Sequence, residues 1–157
     1  MNTASQTTSP ALHERSTFRM KYAVSIDIAA EPERIWALLT DAEGMSRWNS
    51  TIESIEGTIA EGNTIKLRAK IAPGRVFKLK IGKVVPGETM VWSDGFAPMF
   101  RGVRTYTLTP QPDGRTRFAM EEVFSGVMLP MIAGSLPDFG PAFEAYARDL
   151  KRASEAN

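Results

Sequence analysis

Three charged side chains in this 157-residue chain fall on the apolar side of stretches that alternate like strands. From Phe100 to Thr109, one parity carries Phe100, Gly102, Arg104, Tyr106 and Leu108, and the other is mostly Thr105, Thr107 and Thr109. After Gln111-Pro112-Asp113-Gly114, the next stretch aligns Thr116, Phe118, Met120, Glu122 and Phe124. Such alternation marks a strand with one buried face. If the hairpin keeps its apolar faces together with Leu108 opposite Phe118, then Tyr106 opposes Met120 and Arg104 opposes Glu122. A slip of one residue would send the hydrophobes to opposite faces, so the parity is constrained. Asp94 shares parity with Met90 and Trp92 in the preceding stretch.

A charge on an apolar face is costly unless it is paired. One reading is an internal Arg104–Glu122 ion pair that holds no ligand. The other is a polar patch inside a cavity, able to orient a carboxylate, phenol or carbonyl. Arginine suits that task because its planar fork binds oxyanions through two parallel hydrogen bonds. The candidate ligand-binding set is Arg104, Glu122, Tyr106, Trp92, Asp94, Met120, Phe124 and Phe143. The enzymatic alternative gives acid–base work to Glu122, Asp94 or Tyr106, since burial raises a carboxylate's pKa while a neighbouring arginine opposes the rise. No catalytic set is assigned.

Composition narrows the chemistry further. There is no cysteine, which excludes disulfides, thiolate metal sites and cysteine nucleophiles. The single histidine, His13, lies in a polar N-terminal stretch, so a triad or a multi-histidine metal site is not available. No metal and no cofactor are expected. A net charge of +1 gives no bulk pull toward nucleic acid. No apolar run is long enough to cross a bilayer, and no basic-then-apolar leader opens the chain, so a cytoplasmic protein is expected. The expected partner is a hydrophobic small molecule, with a homodimer as a further option.

The elements that must hold these residues follow from periodicity. Residues 1–16 are small, polar and aperiodic and read as a flexible tail, leaving 17–157 as a single domain. From Thr17 the chain alternates strictly, with Phe18, Met20, Tyr22, Val24, Ile26 and Ile28 on one face. Glu31-Pro32-Glu33 opens a helix with apolar Ile35, Trp36, Leu38 and Leu39, and Asp41 caps a second short helix through Met45 and Trp48. Hairpins follow at Glu61-Gly62-Asn63, Pro73-Gly74 and Pro86-Gly87. Ile52 and Ile55 have opposite parity, which predicts a bulge between them. Asp138 to Ala153 is a long amphipathic helix with Asp138 as N-cap. Phe139, Phe143, Tyr146, Ala147 and Leu150 form its one apolar stripe, with Asp149 on the polar side. One stripe needs one partner, and a sheet curled around it supplies that partner.

The order is strand, two short helices, six strands, long helix. It resembles the helix-grip fold of the START-like (SRPBCC) superfamily, which includes polyketide cyclases and dehydrases, the birch-pollen-allergen type and lipid-transfer domains. The resemblance covers about residues 17–153. It rests on Val24-Ser25-Ile26-Asp27-Ile28-Ala29-Ala30-Glu31-Pro32-Glu33-Arg34-Ile35-Trp36, on Asp41 to Trp48, and on Glu121-Glu122-Val123-Phe124-Ser125-Gly126 before the terminal helix. It implies an α+β fold in which a curved antiparallel sheet wraps a long C-terminal helix, with two short helices after the first strand. It also implies a cavity between sheet and helix for a lipid-like, polyketide-like or aromatic molecule. A cyclase or dehydratase-like enzyme is one alternative, although the lone histidine outside the domain argues against histidine-dependent chemistry. A chaperone-activator-type interaction module is another. Activators of the ninety-kilodalton heat-shock chaperone share the opening motif, but the paired glycines of their following strands are absent here.

Three surface features remain open between a structural and a functional role. Val127 to Pro137 carries Met128, Leu129, Met131, Ile132 and Leu136 among helix breakers, and reads as a lid or as a plain connector. Phe96, Met99 and Phe100, around Gly95 and Pro98, form a second apolar loop that could face the same entrance. Lys66, Arg68, Lys70, Arg75, Lys78, Lys80 and Lys83 occur without an acid between Gly62 and Gly87, as a solvated sheet face or an attractor for anionic lipid or an acidic partner.

Overall fold

The alternating stretches pair into one antiparallel sheet. In the computed structural model, which describes residues 10–156, the strands are β1 (Leu12–Arg15), β2 (Arg19–Ile28), β3 (Ile52–Glu56), β4 (Thr64–Ala69), β5 (Phe77–Val85), β6 (Thr89–Phe96), β7 (Phe100–Pro110) and β8 (Thr116–Ser125). Helices α1 (Pro32–Leu39) and α2 (Met45–Trp48) follow β2. Helix α3 (Leu129–Ile132) and a 3-10 turn (Ala133–Ser135) follow β8 and lead to α4 (Gly140–Glu155). The spatial order is β1-β2-β8-β7-β6-β5-β4-β3. The first long strand therefore pairs with the last one, and the hairpins fan out from there. This is the helix-grip arrangement the sequence led us to expect.

The central hairpin keeps the register that parity demands: Leu108 opposes Phe118, Tyr106 opposes Met120 and Arg104 opposes Glu122. The expected irregularity in β3 is a register shift between Ile52 and Ser54. Helix α4 lies in the hollow of the sheet and packs on β2, α1 and α2. Its buried stripe is Phe143, Tyr146, Ala147 and Leu150. Tyr146 stacks on Phe118 with ring centroids 6.0 Å apart, and Phe143 meets Tyr22 at the same separation. Each such side chain contributes roughly 1.5–3 kcal/mol by burial.

Polar clamps fix the helix at depth. Asp149 accepts hydrogen bonds from Ser50 N (2.8 Å) and Ser50 Oγ (2.6 Å), tying α4 to the α2–β3 connection. The Arg34 guanidinium donates to the carbonyls of Ser154 and Ala156, satisfying acceptors that the end of a helix leaves open. Glu155 accepts from Ala29 N at 2.8 Å. Arg34 and Ala29 both belong to the opening motif, so that motif serves to fasten the terminal helix.

Four expectations are corrected. Leu12–Arg15 is not tail but an edge strand on β2, with the His13 ring stacked on Tyr22 at 4.3 Å. All four residues of β1 are exposed, so the strand carries no apolar alternation to read. The part of the tail expectation over residues 1–9 lies outside the described residues. Phe18 is 55% exposed, because a turn from Ser16 N to Arg19 O places it before β2 begins. Helix α4 starts at Gly140, two residues beyond Asp138, whose carboxylate accepts from Gly140 N at 2.9 Å as a side-chain turn. Asp149 is buried in the Ser50 clamp, not on a solvated face.

Candidate functional site

A cavity of about 110 Å³ lies between α4 and the hollow of the sheet. Strands β4 to β8 supply most of its walls, and the inward parity of each strand decides which side chains reach it. Trp92, Asp94, Arg104, Met120, Glu122, Phe124 and Phe143 all line it. These are seven members of the candidate set. The eighth, Tyr106, is not a wall residue. It is buried behind Trp92, edge-on at 5.0 Å between ring centroids. The volume is below the roughly 150 Å³ of a benzene-binding protein cavity, so this space suits one small ring or a short acyl chain.

The polar groups gather on β6, β7 and β8. Arg104 Nε donates to Glu122 Oε2 at 2.5 Å, and the two side chains are 20% and 13% exposed. The Arg104 guanidinium also sits over the Phe143 ring, 5.0 Å from its centroid, so a helix residue covers the pair from the other side. Burial works to lower the Arg104 pKa, but the Glu122 carboxylate outweighs it and holds the guanidinium charged beyond its ordinary value. Tyr106, behind the wall, and Tyr146, on it, lie beside this pair. Burial pushes both phenols up, Tyr146 strongly, so both stay protonated near neutrality.

Asp94 is the unmatched member. It forms no ion pair among the described residues. Burial raises its pKa, and the charge of Glu122 raises it further, against a pull from Arg75, the Gly102 backbone and Arg104. Gly102 lets the two carboxylates share this space. A Cβ there would lie 2.6 Å from Asp94 Oδ1 and 3.3 Å from Glu122 Oε1. A glycine in the middle of a strand marks close approach of other groups, and this was the signal available in the sequence. A second polar feature was not legible at all: the indole N–H of Trp92 is buried without a hydrogen-bond partner. Buried donors are seldom left so.

Partly or fully exposed residues of the cavity wall include Ile71, Ala72 and Arg75 of the β4–β5 connection, and Phe100, Leu136 and Pro137. The apolar segments expected at an entrance behave differently from one another. Phe100, Leu136 and Pro137 reach the cavity. Phe96, Met99, Val127 and Met131 instead point to solvent. Wall residues outside the candidate ligand-binding set include Phe77, Leu79 and Tyr146. Among the described residues there is no cluster of three or more metal-ligating side chains, and no helix is long and apolar enough to cross a membrane.

Comparison with known proteins gives the arrangement a context. The sequence profile of a family described as polyketide cyclase / dehydrase and lipid transport matches residues 19–156. No curated protein matches the chain. Among solved structures, a START superfamily protein from Mycobacterium smegmatis superposes with a TM-score of 0.62 at 19% identity, covering 86% of this chain and 97% of its own. A hypothetical protein from Helicobacter pylori gives 0.68 at 12% identity, covering 85% and 86%. DynU16, a protein of the dynemicin biosynthetic locus, gives 0.63 at 15% identity, covering 84% of this chain and 46% of its own. At these identities the likeness is one of fold.

Proposed function

Because this chain belongs to the polyketide cyclase / dehydrase and lipid transport family, we propose that it binds a compact aromatic or short acyl molecule carrying one polar group. The observation that carries this reading is the cavity itself: apolar walls that also hold Arg104, Glu122 and Asp94, with Asp94 and Glu122 brought together over Gly102. A ligand hydroxyl or carbonyl would lie against these groups, and its ring or chain against Met120, Phe124 and Phe143. The Arg104–Glu122 pair is self-neutralising, so the reading favours a neutral polar group over a full anion. Calorimetric titration with p-cresol and toluene tests it. The two probes have nearly the same shape and differ by one hydroxyl. The wild type should prefer p-cresol, and Arg104→Met with Glu122→Leu should abolish the preference while retaining toluene. Failure of both probes to bind the wild type would contradict the proposal.

One observation favours a second reading, in which the site also moves a proton. Asp94 stands at a cavity wall, and burial and then the Glu122 charge raise its carboxyl pKa above the ordinary value. Such a group can donate to a ligand carbonyl and take the proton back from an adjacent carbon or oxygen. Turnover of a bound cyclisable ketone by the wild type, lost in Asp94→Asn with binding intact, would establish it. Equal turnover in the variant would remove it.

A further inference from the structure

The ends of the strands hold a feature that ligand binding does not use. Antiparallel pairing puts the start of β2, the β4–β5 connection, the β6–β7 turn and the end of β8 at the same end of the sheet. Backbone hydrogen bonds join three of these segments: Gly126 N to Phe18 O (3.1 Å), Val127 N to Pro98 O (3.0 Å) and Met128 N to Met99 O (3.0 Å). Gly126 permits the junction. Its φ is +130°, and a Cβ there would lie 2.3 Å from Met99 O.

This end collects exposed apolar side chains. Phe96 is 83% exposed, Met131 79%, Phe18 and Val127 55%, Met99 50% and Val76 39%. Of the large hydrophobic residues exposed among the described residues, only Leu12 lies elsewhere, on β1. Single exposed hydrophobes are ordinary, but a group projecting from adjacent turns marks an interaction surface.

Charge indicates what the surface meets. Residues 15–19, 70–77, 95–102 and 125–137 carry Arg15, Arg19, Lys70, Arg75 and Arg101 and not one Asp or Glu, in a chain whose net charge is only +1. All five cations are exposed, and none forms an ion pair among the described residues. Arg19 and Arg101 flank Ser125 on either side of β8. Three acids border these segments: Glu14 and Asp138 are exposed, and Asp94 lines the cavity, which leaves five cations against three acids at this end. A two-fold pairing with a second copy would set this patch against itself and bring like charges together.

We propose that this end of the sheet docks on an anionic lipid bilayer. Phe96, Met99, Val127 and Met131 enter the interface, while Arg19 and Arg101 meet headgroup phosphates and carboxylates. The same end holds the cavity residues Ile71, Ala72, Phe100 and Leu136, so docking would bring the cavity against the bilayer and let an apolar ligand pass without crossing bulk water. The docking surface does not depend on the cavity reading, and its test uses no cavity ligand.

The test is flotation with vesicles of phosphatidylcholine alone and of phosphatidylcholine with phosphatidylserine in a two-to-one ratio. The wild type should float with the phosphatidylserine vesicles and be released by salt. Phe96→Ser with Met131→Ser, both at solvent-facing positions, should lower partitioning at least tenfold with an unchanged near-ultraviolet circular dichroism spectrum. Arg19→Ala with Arg101→Ala should lower it roughly 30-fold on the anionic vesicles only. A wild type that floats with neither vesicle, or folded variants that float as well as the wild type, would overturn the proposal. So would a wild-type dimer that Phe96→Ser with Met131→Ser converts to monomer without any vesicle binding, since this end would then be a self-association surface.

Discussion

Removing one member of the Arg104–Glu122 pair should cost far more than removing both. The ion pair is 2.5 Å long, its side chains are 20% and 13% exposed, and Phe143 covers it. Breaking a fully buried pair costs roughly 3–5 kcal/mol, because the abandoned charge remains desolvated. The residual exposure here places each single change at the low end, about 3 kcal/mol for Arg104→Met or Glu122→Leu. The double change restores an apolar wall of similar volume and should cost no more than about 2 kcal/mol. The coupling energy from urea melts of the four proteins is then several kcal/mol, well beyond the roughly 0.5 kcal/mol of independent sites. The two single variants should also differ in their response to pH. Arg104→Met leaves Asp94 and Glu122 crowded over Gly102 without the Arg104 charge, so its deficit should shrink as acid protonates Asp94. Additive single effects, or a deficit for Arg104→Met that does not change with pH, would refute the reasoning.

Other perturbations follow from the same structure. Phe143→Ala removes a helix residue that is 2% exposed and should cost about 3–5 kcal/mol in denaturant melts; a loss below about 1 kcal/mol would contradict a core centred on α4. Asp149→Ala leaves both Ser50 donors without their acceptor and should cost about 2–3 kcal/mol by the same measurement. For Asp94, burial and then Glu122 raise the folded-state pKa, so protonation favours the fold. Its contribution is full below the ordinary aspartate range and is lost as pH rises through the raised value. Asp94→Asn should therefore match the wild type in acid and exceed it in stability at neutral pH, and melts across pH that show a constant difference would rule this out.

Much of this fold could be read from the residues because burial on one face imposes a parity. The pairing of Arg104 with Glu122 followed from the single register that keeps Leu108, Tyr106, Phe118 and Met120 on one side. The helix stripe followed from spacing, and the bulge after Ile52 from a break in parity. What escaped had no such signature. Strand β1 is held by backbone pairing with both faces exposed, so nothing in its side chains marks it. Asp149 looks like any polar-face residue until Ser50, distant in sequence, closes on it. The cavity's size is what remains after side chains of several elements pack, and no pattern encodes it. The Trp92 N–H is unpartnered for the same reason: its surroundings come from three dimensions. The apolar loops at Phe96–Phe100 and Val127–Pro137 were visible as loops, whereas their meeting at Gly126 required the topology.

The Trp92 indole N–H offers the most direct view of the cavity. The chain has three tryptophans, so its indole region in a proton–nitrogen correlation spectrum is sparse, and Trp92→Phe assigns the resonance. Titration with either p-cresol or toluene should move the Trp92 peak by ring-current shielding, because the indole lines the cavity, with p-cresol saturating the shift at lower concentration. In Arg104→Met with Glu122→Leu, the toluene response should persist and the p-cresol preference should disappear. A Trp92 resonance that neither probe moves, while either one binds, would put the ligand elsewhere and contradict the assignment of this cavity as the binding site.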